Sequence, residues 1–264
     1  MINLKEYNDD IEKFEKYLEG FKIFPSNINK VLLLRYLKMF DFDHIKAKEL
    51  FEYNLRFRQK YPKLFVKRDF FSVETQSILN TVQFVHIPKF TEDNLQITIM
   101  RLNDTDVSKF NIVEMFRYIF ITYDAGMTCN SIASGEICVI DCKGYTIRHF
   151  LKAIRCMPTL IAALKFPQYA LAARIVQNHY INCSPIAVRF LEMIRPFMKK
   201  EILEGMHIYT DKYDELYTFI PREYLPLEYG GTYESFDDLF KKSVDFFSTF
   251  NDYVRNDANW KLLE

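Results

Sequence analysis

The chain has 264 residues, enough for one large domain or a small and a medium one, and such a length buries roughly 70–75% of the surface its unfolded form exposes. Phenylalanine (25) and tyrosine (17) are abundant while glycine (7) is scarce, which argues against glycine-rich phosphate loops and suits a thick aromatic core or a greasy pocket. Lysine plus arginine (35) equals aspartate plus glutamate (35), so the basic footprint of a nucleic-acid binder is missing.

Residues 1–65 read as helices. Tyr7, Ile11, Phe14 and Leu18 recur at helical spacing, and Gly20 and Pro25 then interrupt. Asn27 or Asn29 can cap a second helix whose stripe is Val31, Leu34 and Leu37. Asp41-Phe42-Asp43 breaks it and opens a third, running to the turn at Tyr61-Pro62. From about residue 82 the pattern changes. Four strands are expected: Gln96–Met100, Ile137–Asp141, Ile175–Ile181 and Met206–Tyr209. Between them lie helical stretches at 108–127, at 147–170 in two pieces with Pro158 starting the second, and at 185–199, where Pro196 is placed to kink the end. A short helix around Tyr213–Phe219 and a helical tail over 236–253 complete the chain. Strands separated by helices imply a mostly parallel sheet with crossover helices, hence an α/β fold behind an N-terminal helical bundle.

The search for chemistry finds little. The five cysteines (129, 138, 142, 156, 183) are odd in number and form no CxxC pair, as expected of a reducing cytoplasmic compartment. The start Met1-Ile2 has neither a signal-peptide run nor a glycine for myristoylation, the C-terminus has no prenylation box, and no stretch reaches the ~20 apolar residues of a membrane span. His44, His86, His149, His179 and His207 show no paired ligand spacing, so neither a metal nor a cofactor is expected. His179 reads as a hydrogen-bonded core histidine. Asp141 reads as the acid fixing the turn to Gly144, and Cys138 as a small wall residue.

Three stretches carry a resemblance. Leu33-Leu34-Arg35-Tyr36-Leu37-Lys38 with Phe42-Asp43 and Lys46-Ala47 is the first; His179-Tyr180-Ile181-Asn182 with Arg195-Pro196-Phe197 is the second; Tyr224-Leu225-Pro226-Leu227-Glu228-Tyr229-Gly230-Gly231 is the third. In order and spacing they resemble the CRAL-TRIO lipid-transfer family, of the retinaldehyde-binding and tocopherol-transfer type. The resemblance implies a helical N-terminal domain at 1–68, a lipid-binding domain at 69–235 and a helical tail at 236–264. One ligand would lie between the sheet floor and covering helices, behind a mobile amphipathic gate helix.

By that resemblance the pocket wall falls on Met115, Tyr118 and Thr122 of one helix, Cys138 and Ile140 of a strand and Leu164 of a later helix. Ile186, Phe190, Ile194 and Phe197 share the gate face at 4-4-3 spacing. The Tyr118 and Thr122 hydroxyls are candidates to hold a single polar head. A gate and a helix packed permanently on the core have the same pattern. Lys38 and Arg174 occupy basic positions of the family's phosphoinositide cluster, with Arg195, Lys199 and Lys200 nearby. Val176, Glu201 and Gly205 stand where a relative has cations, and Leu171-Ala172 replaces an aromatic-proline pair. The expected function is a non-enzymatic, monomeric cytoplasmic carrier of one small hydrophobic lipid, of retinoid, tocopherol, carotenoid or terpenoid type, exchanging it at anionic membranes. The alternative is a phosphoinositide-responsive exchange or trafficking adaptor.

Overall fold

A computed structural model of the protein describes residues 3–263; Ile2, considered above for acylation, lies outside them. The N-terminal helices are α1 (Asn8–Glu19), α2 (Lys30–Met39) and α3 (His44–Lys60), followed by the short α4 (Pro62–Phe65) and α5 (Val73–Leu79). Their starts follow capping chemistry. Asn29 Oδ1 accepts from the Val31 and Leu32 N–H groups, and Asp43 Oδ1 from those of Ile45 and Lys46. Asp41 and Phe42 turn the chain between α2 and α3 with φ of 50° and 65°. Ile11, Phe14 and Leu18 of α1 are buried, as their spacing predicts.

Five strands form one sheet in sequence order: β1 (Val82–His86), β2 (Leu95–Leu102), β3 (Gly135–Asp141), β4 (Ile175–Ile181) and β5 (Met206–Ile208). The last four run parallel, and β1 is antiparallel to β2. The α/β reading and the four expected strands hold. The sequence reading missed β1, because four of its five residues are buried and no alternation marks it.

The crossovers are α6 (Ile112–Thr128), the pair α7 (Ile147–Arg155) and α8 (Met157–Tyr169), and then α9 (Pro185–Ile194) with α10 (Lys200–Glu204). The break between α7 and α8 falls at Cys156, with Pro158 in the first turn of α8 as expected. The expected helix over 185–199 is shorter than its pattern. It stops at Ile194, Arg195–Phe197 tightens to a 3-10 turn, and α10 restarts only at Lys200. Pro196 lacks the N–H that would continue the ladder, so it ends the helix rather than kinking it. Around 213–219 only α11 (Leu216–Phe219) is helical, and the tail is divided into α12 (Phe236–Ser248) and α13 (Asn251–Arg255).

A buried ion cluster pins these layers. Arg58 of α3 donates to both carboxylate oxygens of Asp124 on α6, at 2.7 and 2.6 Å, and Arg68 bonds the same carboxylate. Both guanidiniums lie over the Trp260 ring, 4.4 and 5.1 Å from its centre. The N-terminal helices, α6 and the end of the chain therefore share one core.

Candidate functional site

The two faces of the sheet are covered differently. On one face Ile97, Ile99, Ile137, Val139 and Ile181 are sealed beneath the segment from Tyr209 to Leu239. Each fully buried side chain of this kind contributes roughly 1.5–3 kcal/mol. The opposite face carries two cross-strand rows, Thr98–Cys138–Asn178–Met206 and Met100–Ile140–Tyr180–Ile208. Thr98 and Asn178 are buried, but the other six are only half-buried, although α6 to α9 cross this side. Burial nonetheless pushes the Cys138 thiol well above its usual range, and likewise raises Tyr180. These groups lie deep in the molecule yet keep accessible surface.

The expected wall residues distribute over this side. Cys138 and Ile140 share the face, as strand periodicity requires. Met115, Tyr118 and Thr122 on α6 are all buried. The two hydroxyls proposed to hold a ligand head are bonded to backbone carbonyls: Tyr118 donates to Phe84 O at 3.3 Å, and Thr122 to Ile119 O at 2.7 Å. Leu164 on α8 is half-buried. On α9 the expected single gate face is two stripes. Ala187, Leu191 and Ile194 are buried, while Ile186 and Phe190 flank them half-buried, with the Phe190 ring stacked on Phe150 at 4.6 Å. Phe197 lies beyond the helix, in the 3-10 turn, so it does not continue the α9 face that carries Ile186, Phe190 and Ile194.

The basic residues are engaged one by one. Lys38 Nζ is 3.0 Å from Tyr7 OH and lies over that ring. Lys199 lies over Tyr169, and Lys200 pairs with Glu204 at 3.4 Å. Arg174 and Arg195 are exposed. A feature the sequence reading missed is on α7, where Ile147, Leu151 and Ile154 are exposed at i, i+4, i+7 beside exposed Arg148 and Arg155. Its signal was present in Ile147-Arg148-His149-Phe150-Leu151-Lys152-Ala153-Ile154-Arg155, whose apolar residues outnumber those one buried stripe can use.

A hollow of about 570 Å³ opens at the N-terminal ends of the parallel strands. Gln96, Gly135 and Glu136 form its floor, Tyr123, Met127 and Ala172 its wall, and α12 contributes Leu239, Ser243 and Phe247. Pro88, Arg174, Lys242 and Phe246 stand exposed at the mouth. None of the ten expected wall residues lines it, but the two regions adjoin: Cys138 Sγ is 3.4 Å from Glu136 Oε1. That oxygen also accepts from Thr98 at 2.7 Å and from Tyr123. Burial raises the Glu136 pKa, against the lowering effect of those three donors.

The residues of the three motifs have structural work. Arg35 threads the C-terminal end of α6, donating from Nε to Met127 O at 2.9 Å and from Nη2 to Gly126 O at 2.8 Å, with Cys129 O and Ser131 O alongside. Asp141 Oδ1 accepts from Lys143 N and from Asn182 Nδ2, and Oδ2 accepts from the Tyr229 hydroxyl at 3.2 Å. Two of the three motifs thus close on one carboxylate, and the turn-fixing reading of Asp141 stands. His179 is bonded to Tyr209 OH and Gln177 Oε1, both at 3.1 Å; burial, then His207, lower its pKa to about 4.

A family model described as the CRAL/TRIO domain matches residues 80–231, more than half of the chain. The chain belongs to the CRAL/TRIO family. A Pinta-like, UBA domain model matches residues 3–75, immediately before it. This CRAL/TRIO chain is 24% identical to the Alpha-tocopherol transfer protein-like protein of Mus musculus over 234 residues, 87% of this chain and 66% of that protein. It is 22% identical to Clavesin-2 of Homo sapiens over 207 residues, 78% of this chain and 62% of that one. The chain therefore spans at most about two thirds of these relatives' length. The crystal structure of Sfh5 has the same fold, with a TM-score of 0.57 at 16% identity over 91% of this chain and 92% of that one. The CRAL/TRIO match holds the whole sheet, from before Val82 to the glycine pair that follows Tyr229.

Proposed function

We propose that this CRAL/TRIO protein is a non-enzymatic cytoplasmic carrier, acting as a monomer, that encloses one small hydrophobic lipid and exchanges it at membranes. The observation that carries this reading is the asymmetry of the sheet. One face is sealed, whereas on the other Met100, Cys138, Ile140, Tyr180, Met206 and Ile208 lie deep but incompletely covered. Packed interiors leave few voids larger than a water molecule, so a row of uncovered side chains beneath helices supports a space shaped for a guest. Ile186 and Phe190 border that side, in keeping with a gate, and a retinoid, tocopherol, carotenoid or terpenoid body matches its apolar lining.

Membrane exchange is supported by α7. Three exposed apolar side chains flanked by two arginines fit an interface of acyl chains and anionic headgroups. The phosphoinositide-led alternative has less support. Lys38, Lys199 and Lys200 are each occupied by an intramolecular partner, whereas phosphate recognition needs several free cations converging.

The direct test is Cys138→Trp, read with an environment-sensitive apolar fluorophore. Indole at that position fills the space above β3, so probe uptake is abolished while far-UV circular dichroism stays unchanged. Full uptake by a folded Cys138→Trp variant places the guest elsewhere and refutes this wall.

A further inference from the structure

The incompletely covered face of the sheet holds four polar side chains, and two of them are already engaged. Thr98 donates to Glu136 Oε1 at 2.7 Å, and Cys138 Sγ lies 3.4 Å from the same oxygen. On α6 above them, the hydroxyls of Tyr118 and Thr122 donate to the Phe84 and Ile119 carbonyls. Asn178 and Tyr180 of β4 remain. Their backbones serve the sheet edge: Asn178 N donates to Gly205 O at 2.8 Å, and Tyr180 O accepts from Tyr209 N at 2.9 Å. Neither the Asn178 amide nor the Tyr180 hydroxyl bonds to any described residue. Nor does packing seal them off from accessible space, as it does Tyr145 Oη and His149 Nε2.

Strand periodicity puts the two side by side. They are i, i+2, hence on one face and roughly 6.5–7 Å apart. Their cross-strand neighbours are Cys138 and Met206 for Asn178, and Ile140 and Ile208 for Tyr180. Each free polar group thus stands among apolar or weakly polar side chains. Polar groups that deep are nearly always paired, so the pattern calls for a partner that is not protein.

Charge narrows that partner. None of the eight side chains on this face is a lysine, an arginine or an acid. The groups that act on the Tyr180 phenol are the thiols of Cys138, Cys142 and Cys183, and those that act on Cys138 are Glu136, Thr98 and Tyr123; no cation bears on either. Burial favours the uncharged form of Glu136 as well. A carboxylate or phosphate placed here would lose its hydration and meet no counter-charge. An amide and a phenol can each donate and accept, which suits a hydroxyl or a carbonyl.

We infer that the Asn178 amide and the Tyr180 hydroxyl are the specificity-determining groups of the carrier cavity, selecting lipids whose polar group is an uncharged oxygen, a hydroxyl or a carbonyl. The inference rests on the carrier reading for the lipid body and adds the chemistry of its polar group. It also moves that contact from the Tyr118 and Thr122 hydroxyls of α6 to the floor of the sheet.

Three terpenoids with one apolar body test it: farnesol, farnesoate and farnesene, each titrated at pH 8 against the environment-sensitive apolar fluorophore bound to the protein. Farnesol displaces the fluorophore at a concentration roughly tenfold or more below that of farnesoate. Asn178→Leu and Tyr180→Phe, both close in shape to the residues they replace, each weaken farnesol several-fold, as loss of a neutral hydrogen bond does, and leave farnesene unweakened. Tyr118→Phe leaves the order of the three unchanged. Farnesoate as tight as farnesol, farnesol affinity indifferent to both β4 variants, or displacement by none of the three overturns the assignment. The carrier reading survives those outcomes, since fluorophore uptake and its loss in Cys138→Trp are read without any terpenoid. A wild-type protein that takes up no fluorophore removes both.

Discussion

Replacing Asp124 by Asn isolates one charge in the middle of the molecule. Asp124 is fully buried, receives both terminal nitrogens of Arg58 and one of Arg68, and is the only carboxylate within 3 Å of either guanidinium among the described residues. The next, Asp257, is exposed and 3.9 Å from Arg68. Asparagine keeps the shape but leaves two buried cations facing Trp260, Phe65 and Phe166, with only the exposed Asp257, 3.9 Å from Arg68, as counter-charge. Breaking a buried pair in this way costs about 3–5 kcal/mol, against a total stability of roughly 5–15 kcal/mol. At roughly 2–4 °C per kcal/mol for a chain of this size, the melting temperature falls by roughly 6–20 °C. Urea titration followed by tryptophan fluorescence is well placed to see it, because Trp260 is the only tryptophan and stacks on both arginines. A loss below ~1 kcal/mol at unchanged m would show that the cluster is not what joins α3, α6 and the C-terminus.

Other consequences can be checked in parallel. His86 has a folded pKa of about 3 against 6.5 for the free group, so between those values the unfolded chain binds the extra proton and stability falls as pH falls. The loss reaches about 2 kcal/mol by pH 5 and is absent above pH 7; His86→Phe removes this slope, and a slope unchanged in that variant assigns it to other groups. Gly231→Ala sets a Cβ 1.8 Å from the Leu225 carbonyl oxygen, forcing the backbone to move at a cost of about 1–3 kcal/mol or more in thermal or urea unfolding. Gly126→Ala is its control: the added methyl meets only Phe247, at 3.6 Å, inside a helix where alanine is better by about 0.5–1 kcal/mol. Equal effects of the two substitutions would remove the steric explanation of the paired glycines.

The sequence reveals the frame better than the interior. Capping residues Asn29 and Asp43, the break before Pro158 and the strands at 96, 137, 175 and 206 are local signals and appear where they are expected. Strand β1 has no such signal, since burial on both faces erases the alternation that marks a half-buried strand. The motifs were legible as a pattern but not as chemistry. Asn182 and Tyr229 are 47 residues apart, and only the fold shows that they converge on Asp141. The hydroxyls of Tyr118 and Thr122 looked free because residue type gives no account of which carbonyls lie within reach. For the same reason His86 and Ser243, ordinary in sequence, stand out only when every neighbour has been assigned and each is left without one.

The account depends on an interior that holds a guest. Native mass spectrometry of the freshly purified chain, followed by organic extraction, reads this directly. The expected result is a one-to-one adduct that extracts into organic solvent as an apolar or amphiphilic lipid and is missing from Cys138→Trp. A spectrum with only the bare mass, unchanged after incubation with retinoid, tocopherol and hexadecanoate, would contradict it.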